Sequence, residues 1–229
     1  MPGKTVVILQ SSYIPWKGYF DLVNLADEFI FYDDVQYTRL DWRNRNKIKT
    51  SVGVKWLTIP VGYDMNWKIY QVAMKKQLWK KKHKKTIEQN YSRAAHFDEF
   101  KNVLDEVYDN DLSNLSEFNQ RATKIIAGKL GIATKFSDVR DYSPVGHRTE
   151  RLIDLLKKSG ADKYISGPSA KNYLVESRFE EEGIKLEYFS YEGYPEYTQL
   201  YGPFVHEVSI LDLIFNEGKN AVKFMKTFA

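Results

Sequence analysis

The 229-residue sequence predicts an α/β fold, a mainly parallel Rossmann-like sheet carrying a helical insert or lobe, and three observations lead to it. Thr5 to Gln10 is a continuous apolar, β-branched run of the kind that forms a strand buried on both faces. A helix-spaced apolar set and a second apolar strand follow at once, so the first 34 residues read as a βαβ unit. After residue 130, short strands and helices alternate again.

The elements follow in order. The loop Ser11-Ser12-Tyr13-Ile14-Pro15 leads to a helix over residues 16–26, with Tyr19, Leu22, Val23 and Ala26 on one face and Gly18 permitting close approach near its start. Phe29 to Tyr32 is the second strand, ending at Asp33-Asp34. Residues 38–50 suit a hairpin or a loop, and Trp56 to Val61 is a third strand candidate with Pro60 near its end. From about 71 to 130 the apolar spacing is helical: Leu78 and Ile87 on a basic helix, Phe100, Val103, Leu104 and Val107 on a second, and Ile125, Ile126 and Leu130 on a third. Strands are then expected at 134–139, 163–166 and 185–189, separated by helices at 149–159 and 169–182. The expected organisation is one domain over 1–229 with the insert at about 71–130.

Composition narrows the chemistry. With no cysteine, a disulfide framework, a thiolate nucleophile and a thiolate-ligated zinc are excluded. The apolar run ending at Leu9 is too short for a signal peptide and no other run approaches a membrane span, so a cytoplasmic location is expected. Net charge is only +4, yet Lys75, Lys76, Lys80, Lys81, Lys82, Lys84 and Lys85 crowd together beside His83. Such a run invites tRNA or an acidic partner, and equally suits a solvated helix face. Aromatic residues, 15% of the chain, suit stacking on bases or sugars as well as core packing.

Several segments combine residues suited to binding. Gln10 to Phe20 takes the chain from a strand into a helix, where free backbone N–H groups can hold phosphate and Lys17 can add a charged contact. Asp33 and Asp34 stand at a strand end, followed by Gln36 and Tyr37; adjacent side chains on an extended chain point opposite ways, which opposes a shared metal. Trp42-Arg43-Asn44-Arg45-Asn46-Lys47 unites guanidinium forks, amides and an aromatic face. Ser166-Gly167 lies in a second strand-loop-helix passage, Arg151 at a helix start, and Gln199 and His206 in an irregular stretch near the end. His83, His147 and His206 are available as bases, while the spacing of His83 and His96 does not suit a helical metal pair.

The first unit is similar in layout to the nucleotide-binding unit of nucleotidylyltransferases and class I aminoacyl-tRNA synthetases, which carry His-x-Gly-His where this chain has Trp16-Lys17-Gly18-Tyr19. Only the glycine is shared, so the fold carries over and the paired-histidine chemistry does not. Taken together, Gln10 to Tyr19, Asp33 to Tyr37, Asn44 to Asn46, Tyr164 to Gly167, and Tyr197-Thr198-Gln199 with Ser209 to Asn216 resemble the WbqC-like protein family. The departures are Ser11 where that family has proline and a heavier basic stretch at 75–85.

The resemblance implies a bacterial enzyme of O-antigen or other surface-polysaccharide biosynthesis acting on a nucleotide-linked sugar. The expected reaction is transfer of an acyl or aminoacyl group to a sugar amine. Arg45, Lys17 and backbone amides would hold phosphates, Asn44 and Asn46 would orient the sugar, and Asp33, Asp34, His83 or His206 would remove the amine proton. Gln10, Tyr13, Gly18, Tyr19, Gln36, Tyr37, Trp42, Arg151, Ser166, Gly167 and Gln199 complete the expected binding set. No metal-ligand set is assigned, and the cofactor is left open. A glycosyltransferase using the same nucleotide sugar and a non-catalytic module of a polysaccharide assembly complex are the alternatives.

Overall fold

The computed structural model describes residues 3–62, 64–75 and 77–228. Its framework is a parallel sheet of β1 (Thr5–Leu9), β2 (Glu28–Phe31), β5 (Lys135–Asp138), β6 (Lys163–Ser166) and β7 (Lys185–Tyr188), in the order β5-β2-β1-β6-β7. The chain winds outward from β1 to one edge, then crosses β1 and winds to the other. This is the Rossmann order, with its switch point between β1 and β6, where the two halves diverge and leave a crevice beyond the strand carboxyl ends. The apolar run expected to lie at the centre does so: Val6 and Val7 are fully buried and Ile8 nearly so.

Helix α1 (Lys17–Asn24) returns the chain from β1 to β2, burying Tyr19, Phe20, Leu22 and Val23. On the second half, α7 (Arg148–Ser159) packs Leu152, Ile153, Leu155 and Leu156 against Val6, Ile8, Ile30 and Tyr164. Gly160 ends α7 in the left-handed region at φ 70°, a conformation that glycine adopts at little cost. At the amino edge of the sheet, burial works against ionisation of Glu28. Hydrogen bonds from Lys4, Ser137, Tyr142 and Lys135 outweigh it and hold the carboxyl at about 2. That carboxylate ties together β2, β5 and α6 (Val139–Tyr142), far from the crevice.

Between β2 and β5 the chain leaves the sheet. It first forms the antiparallel hairpin of β3 (Arg45–Thr50) and β4 (Gly53–Thr58), with Arg45 opposite Thr58 and Thr50 opposite Gly53. Trp56 to Val61 is therefore not a strand of the main sheet: its first part pairs with β3, and Val61 makes an isolated antiparallel bridge to Met74. Four helices follow: α2 (Leu78–Tyr91), α3 (Phe97–Phe100), α4 (Asn102–Tyr108) and α5 (Leu115–Lys129). The apolar set at 100–107 is divided between α3 and α4, with Lys101 at the junction. The helix expected over 169–182 is likewise divided, into a 3-10 turn at Pro168–Asn172 and α8 (Glu176–Glu181). Near the end of the chain, α9 (Ile210–Glu217) is buried along most of its length. No helix among the described residues is long and apolar enough to cross a membrane.

The lysine run shows why a charge count misleads. Helical spacing turns Lys80 and Lys84 inward from α2 while Lys81, Lys82 and Lys85 face outward. Lys80 is buried and donates to the carbonyls of Asn110 and Leu112 at 2.7 and 2.9 Å, and Lys84 pairs with Asp105 and Asp109. Lys76 lies outside the described residues.

Candidate active site

The crevice at the switch point holds a cavity of about 930 Å³. Its floor is the end of β1, from Ile8 to Gln10, with Tyr164 and Ser166 of β6. One wall is the loop ending in Ser12, Pro15 and Trp16. Another is Gly167 to Ala170, and Trp42, Arg43 and Asn46 come in from the hairpin side. The irregular stretch after β7 supplies Tyr191, Tyr194, His206 and Glu207. This size and mixed lining suit a ligand larger than a monosaccharide.

Polar side chains hold the loop from beneath. Asp33 is wholly buried and accepts from the backbone N–H of Ser11 at 2.8 Å and from the hydroxyl of Ser116. Burial pushes its carboxyl up despite these bonds. Asn46 donates to the carbonyls of Tyr13 and Ile14, and the Tyr13 N–H donates to the carbonyl of Trp42 at 2.9 Å. Ile14 stands at φ 35°, a conformation costly for a β-branched residue and held here by those contacts. The Ile210 N–H reaches the carbonyl of Pro15 at 2.9 Å, which docks α9 on the same loop.

Two residues of the lining each hold a buried polar atom without a partner among the described residues. Arg43 donates through Nη1 to Oε1 of Gln10, leaving its buried Nε with no partner among the described residues. His206 packs on Phe204, with ring centroids 4.6 Å apart, and its buried Nδ1 also has no partner among the described residues. Burial, reinforced by the Lys17 ammonium, lowers the His206 imidazole below its ordinary value, so the ring is a neutral proton acceptor at physiological pH. Trp16 builds an aromatic corner with Tyr191 and Tyr194, at centroid distances of 5.1 and 5.5 Å.

Of the residues expected from sequence, Gln10, Tyr19, Trp42, Asn46, Ser166, Gly167 and His206 line this cavity. Tyr19 also donates to the carbonyl of Gln10 at 3.2 Å, and Ser166 accepts from Tyr164 at 3.1 Å. Asp33 and Asn44 support it from behind, Asn44 by donating to the carbonyl of Ile59 at 3.1 Å. Gln199 braces the adjoining wall: it bonds both backbone groups of Val205 and reaches Asp212, whose buried carboxylate also accepts from Tyr91 and Tyr197.

Other expected residues are engaged elsewhere. Asp34 and Asp33 do not converge; Asp34 forms a two-pronged ion pair with Arg151, which also donates to Tyr32 at 2.6 Å. Tyr13 and His83 are joined at 2.8 Å in the core, where Tyr13 also meets Tyr108 at 2.5 Å, and burial pushes the His83 imidazole down to about 4. Gln36 is exposed and donates to the carbonyl of Met65, while Tyr37 is buried with its hydroxyl unpartnered among the described residues.

The expected phosphate contacts change most. The Lys17 ammonium is buried over the rings of Tyr194 and Tyr197, donates to the carbonyl of Pro195 at 3.0 Å, and is lowered by burial to about 8. Gly18 serves Trp16: a Cβ at position 18 would stand 2.4 Å from the indole. Arg45 faces away from the cavity because side chains alternate along β3, which sends Asn46 inward and Arg45 to the outer face beside Trp56. Arg43 is the guanidinium that reaches the crevice: it shares the parity of Arg45 but stands before the strand begins, outside its alternation. Among the described residues no group of three or more His, Cys, Asp or Glu side chains is arranged to hold a metal ion.

The sheet order and the switch-point cavity, with its arginine, histidine and aromatic walls, define a Rossmann-like α/β protein with a cavity at the strand carboxyl edge, the place where such folds bind ligands. The chain belongs to the WbqC-like protein family, which matches residues 10–224. The uncharacterized protein Rv1507c of Mycobacterium tuberculosis (strain ATCC 25618 / H37Rv) is 46% identical over 226 residues, covering 97% of this chain and 98% of its own length. No solved structure matches the chain.

Proposed function

We propose that this protein is a transferase of surface-polysaccharide biosynthesis that passes an acyl or aminoacyl group to the amine of a nucleotide-linked amino sugar. The observation that supports this reading best is that Arg43 and His206 line one cavity at the switch point: a guanidinium fork, suited to a diphosphate, and a neutral imidazole, suited to a proton. The aromatic corner of Trp16, Tyr191 and Tyr194 offers faces for a base or sugar ring.

In this scheme the amine nitrogen attacks the acyl carbonyl carbon and a C–N bond forms. The bond from that carbon to the donor's leaving atom breaks, the leaving atom keeps the electron pair, and the amine proton passes to His206. Release of the donor's remainder and return of that proton to solvent complete the cycle.

The test is mass spectrometry of mixtures containing a panel of nucleotide-linked amino sugars with acyl-CoA, aminoacyl-tRNA, or amino acid plus ATP. An N-acylated nucleotide sugar formed by the native chain and lost in His206→Ala is the expected result. Transfer of the sugar itself to an acceptor, or no product from any pairing, overturns the reading.

A further inference from the structure

Group transfer requires two substrates, and the main cavity has a neighbour. A second concavity of about 360 Å³ opens on the outer face of the hairpin and is lined by Leu40, Asp41, Trp42, Arg45, Lys47 and Trp56. Trp42 and Trp56 are 42% and 41% exposed, with ring centroids 5.4 Å apart and planes inclined by 35°. The Arg45 guanidinium lies 4.2 Å from the Trp56 ring centre, and the Lys47 ammonium is 5.6 and 5.4 Å from those of Trp42 and Trp56. Of the residues lining it, Arg45 and Lys47 are basic and Asp41 is acidic.

Exposed indoles with cations fixed at their faces and edges are the chemistry that receives a flat base together with its phosphates. A neutral glycan could also lie on the indoles, but it would bring no counter-charge to Arg45, whose buried Nε has no partner among the described residues. The small volume and six-residue rim suit a single nucleotide rather than an extended strand. The two concavities adjoin: Trp42 walls both, and Lys47 on the outer face pairs at 3.3 Å with Glu207, which lines the inner one.

We propose that the outer hairpin face binds a small nucleoside phosphate, the carrier end of the second substrate, so that its reactive group can pass Trp42 into the main cavity. The role as second substrate rests on the transferase reading; the binding itself does not. Acyl carriers activated as thioesters of CoA or as adenylates share an adenosine phosphate, so adenosine 3′,5′-bisphosphate is the probe.

Calorimetric titration of the full chain with this probe should give saturable binding that weakens as salt rises. Trp56→Ala and Arg45→Gln should each raise Kd by about tenfold with an unchanged melting temperature, because loss of one stacking face or one phosphate contact has about that effect. Arg43→Met, in the inner cavity, should leave Kd within about twofold, as expected of a separate site. The proposal fails if native protein takes up no probe at millimolar concentration, or if Arg43→Met abolishes binding while Trp56→Ala does not. It fails too if cellotetraose binds with the Trp56 dependence that the bisphosphate lacks, or if an RNA oligomer ending in CCA binds more tightly than the bisphosphate at the same face. Binding with the expected variant pattern but no N-acylated product from any donor would leave this site standing and remove the transferase reading.

Discussion

The Asn46 side chain donates to the carbonyl of Ile14 at 2.8 Å, so the first strand of the hairpin fixes the loop that closes the main cavity. The same amide reaches the carbonyl of Tyr13 at 3.0 Å, and both bonds are buried. Asn46→Ala leaves two buried acceptors beside a residue in the left-handed region. Stability in urea unfolding is expected to fall by about 2–3 kcal/mol, the cost of orphaning such groups. Ligand affinity should fall with it; a variant as stable as the native protein would show that the loop stands without the clamp.

Arg43→Met removes the only guanidinium in the cavity lining and leaves the side-chain volume largely filled. Affinity for a nucleotide diphosphate sugar, measured by calorimetry, is expected to fall by at least about tenfold through loss of a charge-assisted contact. Stability should fall by no more than about 1–2 kcal/mol, the loss of the single bond to Gln10, because the buried Nε that is also removed has no partner among the described residues. Arg45→Met should leave that affinity near the native value.

The Asp34→Asn change tests the acidic pair at the end of β2. Asp34 is committed to Arg151, so the variant is expected to retain turnover and to lose about 1–2 kcal/mol of stability, modest because the pair is not fully shielded from solvent. Loss of kcat with unchanged stability would return Asp34 to the reacting centre.

Two histidines make opposite demands on a pH experiment. The imidazole of His206 is lowered, so its base form already dominates at neutral pH. The pH profile of kcat/KM should stay flat through neutrality and fall only below the ordinary histidine value of about 6.5. His206→Gln should remove turnover across the range while preserving ligand binding.

His83 affects folding instead. Its value in the folded chain is about 4, so between about 6.5 and 4 the unfolded chain binds a proton that the folded chain refuses. Stability therefore falls as pH drops through that window, by about 3 kcal/mol from this group, and changes no further from it at lower pH. Denaturation of native protein and His83→Phe at a series of pH values should give curves that diverge there; parallel curves would remove the assignment.

The framework was legible because its signals are local. The apolar run at Thr5 needed only its composition to be recognised as a central strand, and the spacing of Tyr19, Leu22 and Val23 needed only one turn of helix. The site was legible in part. The segments that carry the resemblance do bring Gln10, Tyr19, Asn46, Ser166 and Gly167 to one crevice, which Trp42 and His206 join from outside those segments. Which arginine faces inward depends on where pairing begins in β3, and that is set by Thr58 across the hairpin rather than by residues 42–47 themselves. Lys17 looked like a phosphate ligand because it stands at a helix start. Its burial comes from Tyr194 and Pro195, about 180 residues along the chain, in a stretch with no periodicity to announce its path.

The cavity is assembled from parts distant along the chain: the first strand and its loop, the hairpin segment, the turn after β6 and the irregular stretch that ends at Glu207. These parts lie far apart along the chain, so the space exists only where the whole chain is folded. Ligand occupancy is thus coupled to the whole native state rather than to a local pocket. Saturating ligand should raise the melting temperature of the entire chain, and a destabilising substitution away from the cavity lining that populates the unfolded chain should weaken apparent affinity without touching the site.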